Sequence, residues 1–233
     1  MDQQHLWRSL AFAIVVTLAM NALDMLYHVA TNTAVHLHYV AVKATVIFAT
    51  VLLIAVIVGR GRTPGIVTSI LGPVAFYIYY TVATPTLDRS LFTLDEAVWY
   101  VVVHAIALGI AYWLMQSQIV KNKERLPFAV LVSLAALPLY WGWLMELVKL
   151  TGGLDEQTTT VMTFGTALLV LVILFVLVYL ATLLPRSWWP GILAGVAFGI
   201  VGLLFRVTLI DAGARVLVVA VPYLLTYFLW GEK

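Results

Sequence analysis

Residues 166–184 read TALLVLVILFVLVYLATLL. The run has no charge and no alternation of apolar with polar residues, so it does not suit a transmembrane β-strand, whose faces alternate over about ten residues. It has the length of a helix crossing a bilayer, which needs about 20 mostly apolar residues. The rest of the chain resembles this run. Over 233 residues, 63% are hydrophobic and 10% charged, against roughly 25% charged in soluble domains, and the mean hydropathy is +1.03.

The polar punctuation divides the chain into apolar segments near 9–31, 34–59, 64–83, 95–117, 126–149, 160–184, 187–206 and 212–230. The expected fold is therefore all-α: a polytopic transmembrane helical bundle of about eight spans, forming a single integral membrane domain over 1–233 with the lipid bilayer as its surroundings. Arg206 and Asp211 interrupt one long apolar run at FRVTLIDAGAR, so the alternative is seven spans with a broken last segment. The opening run is followed by no small-x-small cleavage site, and we read it as an uncleaved first helix.

Lys and Arg in the short connections set orientation. With eight spans, Arg8, Arg60, Arg62, Lys121, Lys123, Arg125, Arg186 and Lys233 fall on the side of the N-terminus, and Arg89, Lys149, Arg206 and Arg215 on the other. This places both termini in the cytoplasm. Topology thus explains the basic residues, and no nucleic-acid partner is implied. The absence of cysteine excludes disulfides, thiolate metal sites and thiol catalysis. There is no nucleotide motif, no Gly-x-Ser-x-Gly elbow and no internal repeat. Gly195, Gly199 and Gly202 read as small residues for close helix packing.

The exception to this apolar pattern is NALDMLYHVATNTAVHLHYVAVK, residues 21–43. On the expected topology, Asp24, His28, His36, His38, Lys43 and His104 all lie toward the extracytoplasmic side. Asp24 and His28 share a helix face at i, i+4. If the chain turns near Thr31–Asn32, Asp24 and Lys43 lie about two to three helical turns below the turn. His104 reaches a comparable depth, with His28 and His36 forming a layer above. His36 and His38 are about 200° apart on a regular helix, so one of them faces away, and His36 matches the depth of His28.

Acidic side chains inside a membrane are expensive and often functional. Asp24 with His28, His36 and His104 offers donors for a divalent metal, with copper or zinc suited to imidazole. Asp24 and Lys43 also suit a buried ion pair or a charge relay. Asp95 and Glu96 fit a capping box begun by Thr93, Glu146 and Lys149 an i, i+3 pair, and Asp211 and Arg215 an i, i+4 pair.

Asp24 and His28 resemble the first two positions of a metal-binding motif in the C subunit of the copper-dependent membrane monooxygenases that oxidise methane or ammonia. The third position differs, because His36 and His38 follow His28 at a shorter interval than in that family. The resemblance covers only this hairpin and implies copper ahead of zinc. Three function classes stand at this stage: a metal-binding membrane protein or metal-site subunit, a non-catalytic subunit bound to other membrane subunits, and a proton- or cation-coupled transporter.

Overall fold

The structure is a computed structural model describing residues 3–31, 37–83, 94–121, 125–150, 164–185, 187–204 and 208–230. The side chains of His38, Asp95, Glu96, Glu146 and Lys149 lie outside that description, as does the whole of His36. Eight helices run through the described residues: α1 (Gln3–Ala30), α2 (Leu37–Ile57), α3 (Arg62–Ala83), α4 (Leu94–Lys121), α5 (Arg125–Leu150), α6 (Phe164–Ala181), α7 (Trp189–Leu204) and α8 (Leu209–Trp230). Five of them, α1, α2, α5, α6 and α8, contain stretches long and apolar enough to cross a membrane by length and composition. Large apolar side chains such as Trp7, Leu53, Ile66 and Trp113 are exposed around the bundle, as expected of a surface that meets lipid.

α1 forms the core. Phe12, Ala13, Val15, Val16, Ala19, Met20 and Ala22 are fully buried, because α1 is surrounded by other helices and packs against α2, α4, α5 and α8. Each half of the chain closes on itself. In the first half α1 packs on α2, α2 on α3, α3 on α4, and α4 back on α1; in the second α5, α6, α7 and α8 close the same way. The sequence showed no repeat because the two rings share an order of neighbours and not a pattern of residues.

The connections follow local chemistry. α2 ends where Gly59 adopts φ 109°, a conformation that glycine takes without steric penalty, and the Gly59 N–H returns to the Ile54 carbonyl at 3.0 Å. Beyond α6 the last turn tightens, with Leu183 N–H on Leu180 O at 3.0 Å and Leu184 N–H on Ala181 O at 3.2 Å. Pro185 then follows, and Pro190 sits in the first turn of α7, where its missing N–H has no helical partner to lose. Buried hydroxyls satisfy themselves on their own helix: Thr68, Ser133 and Thr226 donate to the carbonyls of Pro64, Ala129 and Pro222.

The interrupted run at FRVTLIDAGAR resolves into two helices lying side by side. A Cβ at Gly195 would come within 2.6 Å of the Val216 carbonyl oxygen, and one at Gly199 within 2.8 Å of the Ala212 oxygen. These pairs run in opposite directions along the two helices, so α7 and α8 form an antiparallel hairpin with backbones in contact, as small residues permit. Thr208 caps α8, its hydroxyl accepting from the Asp211 N–H at 3.2 Å.

Candidate functional site

Asp24 lies six residues before the end of α1, and Lys43 six residues after the start of α2. The two helices are antiparallel neighbours, so at a rise of about 1.5 Å per residue both side chains stand near the same depth. α4 brings His104 to them. Lys43 Nζ pairs with Asp24 Oδ2, His104 Nε2 stands 3.1 Å from Asp24 Oδ1, and His28 Nε2 stands 3.6 Å from the same oxygen. All four residues are buried, Asp24 and Lys43 at 1% and 0% exposure. α3 closes the ring with Phe76, whose centroid is 6.1 Å from that of His104. Above the site, Trp99 Nε1 donates to the Tyr27 hydroxyl at 2.8 Å and ties α4 to α1.

The structure thus brings together Asp24, His28, Lys43 and His104 inside the first helical ring. With Lys43 charged and both imidazoles neutral, the cluster sums to zero charge, and one further proton leaves it at +1. Buried charges persist only when paired, and Lys43 supplies that pairing for Asp24. Its ammonium also occupies the cation position beside the carboxylate. Among the described residues, no group of three or more His, Asp or Glu is arranged to hold a metal ion.

The polar face of α1 continues below the site, a feature the sequence reading missed. Asn21 and Thr17 are buried at 2% and 5% exposure and share the Asp24 face at heptad-like spacing. Asn21 Nδ2 donates to the Thr17 carbonyl at 2.8 Å, but Asn21 Oδ1 and Thr17 Oγ1 have no hydrogen-bond partner among the described residues. Such atoms are ordinarily satisfied by buried water. The spacing of Thr17, Asn21, Asp24 and His28 was the available signal, hidden because an uncharged amide and a hydroxyl draw little notice in an apolar run.

A second buried carboxylate provides a contrast. Asp211 accepts from Arg215 Nε at 2.9 Å and from Trp143 Nε1 at 2.8 Å. The Arg215 guanidinium lies over the rings of Tyr140 and Phe198, at 5.1 and 5.4 Å. Arginine stays protonated and indole does not titrate in the ordinary pH range, so this cluster is a fixed structural tie of α8 to α5. At Asp24 the partners are a lysine and two histidines, groups that exchange protons. Both clusters lie toward the same end of the bundle, where α1, α5 and α7 end and α2, α4 and α8 begin.

Comparison with protein-family models, with curated proteins and with solved structures finds no match.

Proposed function

We propose that the protein handles protons within the membrane, as a proton-coupled transporter in which Asp24 is the proton-carrying group. The observation that supports this most is the convergence of Lys43, His104 and His28 on one buried carboxylate. A carboxylate shared by three proton-exchanging groups can pass a proton by small side-chain rotations. Intramembrane Asp/His chains are a recurrent proton relay in pumps and transporters. Once protonated, His104 hands its extra proton to Oδ1, which leaves imidazole and carboxyl both neutral and the Lys43 ammonium as the net positive charge of the cluster, and His28 faces the nearer end of the bundle.

The column through Asn21 and Thr17 supports an aqueous route on the other side of Asp24. The two rings of four helices are compatible with transporter architectures built from repeated halves. A copper or zinc reading of Asp24, His28 and His104 requires a second cation next to the Lys43 ammonium, which electrostatic repulsion disfavours. The subunit reading requires only that Asp24 and Lys43 neutralise one another, and it predicts no proton movement.

Reconstitution into vesicles carrying an internal pH dye separates these readings. Under a potassium diffusion potential, we expect proton entry above that of protein-free vesicles, abolished by Asp24→Asn. Equal entry in wild type and Asp24→Asn contradicts the proposal.

A further inference from the structure

On the outer surface of the first ring, a groove of about 760 Å³ runs between α3 and α4. It exists because its floor lacks side chains: Gly65 lies against the Tyr112 ring, and a Cβ at Gly109 would sit 3.6 Å from Ser69 Oγ. Its walls are apolar and its rim residues Ile66, Ile106 and Trp113 are exposed at 66%, 58% and 67%, so it opens sideways toward the surroundings of the bundle. The size lies within the range of ligand sites, roughly 300–1,000 Å³.

One end of the groove is polar. Arg62 lines it at the start of α3, with Tyr112 and Gln116 from α4. The Tyr112 hydroxyl and the Gln116 Nε2 are buried and have no hydrogen-bond partner among the described residues, although Tyr112 is only 3% exposed. Each of these two groups can donate, and each lacks an acceptor. Arg60 is half-buried nearby, and burial, followed by the adjacent Arg8 guanidinium, lowers it from the usual arginine range. Among the described residues, this end of the bundle carries no carboxylate, so none of them offers these donors a charged acceptor.

We propose that the α3–α4 groove binds one anionic phospholipid, with an acyl chain along Ile66, Ile70 and Ile106 and phosphate oxygens accepting from Arg62, Gln116 and the Tyr112 hydroxyl. Basic pockets between transmembrane helices recognise acidic head groups by this charge complementarity. The site is separate from Asp24 and stands whether or not that residue carries protons.

Native mass spectrometry of the detergent-purified protein tests it, after exchange with phosphatidylglycerol or with phosphatidylcholine. We expect phosphatidylglycerol to be retained at one per chain in preference to phosphatidylcholine. Arg62→Gln/Gln116→Leu should weaken that retention by about tenfold, the loss of roughly one charge-assisted hydrogen bond. Arg125→Gln, which removes an arginine outside the groove, should retain the lipid as wild type does. Gly109→Leu, which sends a side chain into the groove, should reduce retention without touching the polar end. Equal retention of the two lipids, undiminished retention in Arg62→Gln/Gln116→Leu, or displacement by inorganic phosphate alone overturns the proposal.

Discussion

Lys43→Met is the sharpest perturbation of the buried cluster. In wild type the Lys43 ammonium and the Asp24 carboxylate are exposed at 0% and 1%, so neither is hydrated from bulk. Replacing the ammonium with a thioether of similar length keeps the packing of α2 on α1 but strands the carboxylate. Removing one partner of a buried pair costs about 3–5 kcal/mol. For a chain of this size, where 1 kcal/mol moves the midpoint by roughly 2–4 °C, that corresponds to a fall in Tm of about 6–20 °C. Asp24→Asn/Lys43→Met removes both charges and should recover at least about half of the loss, since replacing a buried pair by neutral groups is often nearly neutral. The assay is thermal unfolding in one detergent, followed by circular dichroism. A Lys43→Met protein as stable as wild type, or a double variant less stable than the single one, refutes the pairing as the source of stability.

Other consequences follow from particular contacts. Gly195→Leu should destabilise by about 1–3 kcal/mol, the range for overpacking, because its Cβ would meet the Val216 backbone at 2.6 Å. Gly142→Ala, with nothing within 4 Å of the new methyl, should be neutral or stabilising by up to about 1 kcal/mol from helix propensity; thermal melts of the two compare them directly. Trp143→Phe removes the indole donor to Asp211 and should cost about 1.5–3 kcal/mol in the same melts, as for hydrogen bonds to charged groups. Asn21→Val should cost about 1 kcal/mol, for the one bond from Nδ2 to the Thr17 carbonyl, and should lower proton entry into vesicles, because it removes an acceptor that has no partner among the described residues; unchanged flux would rule out the α1 column as a route. Elemental analysis of protein purified without chelators should find copper and zinc well below one per chain, and a stoichiometric metal lost in Asp24→Ala/His28→Ala would reverse the reading of the cluster.

The helices were legible because their signals are local. The run at 166–184 excludes strands by itself, and Gly59, Pro185 and Pro190 mark turns by their backbone chemistry. The common depth of Asp24, Lys43 and His104 followed from counting residues from the ends of their helices. What a residue count could not supply is rotation about each helix axis, since that depends on which neighbours surround α1. The count therefore gave no means of telling that the Lys43 ammonium takes the place beside Asp24 suited to a metal. His36, expected in the layer above, falls outside the described residues. The Asp211–Arg215 pair was visible as i, i+4 spacing, whereas its third partner, Trp143, is distant in sequence and comes close only through the packing of α5 on α8.

The most direct test of the central claim is whether Asp24 changes protonation. An infrared difference spectrum between membranes equilibrated at alkaline and acidic pH, on wild type and Asp24→Asn, isolates the carboxyl stretch of this residue. Our account predicts a protonated carboxyl band that appears as the pH falls and is missing in Asp24→Asn, with its position altered in His104→Gln. A wild-type spectrum without such a band across the range in which the protein stays folded would mean that Asp24 remains a permanent anion held by Lys43, and would contradict the account.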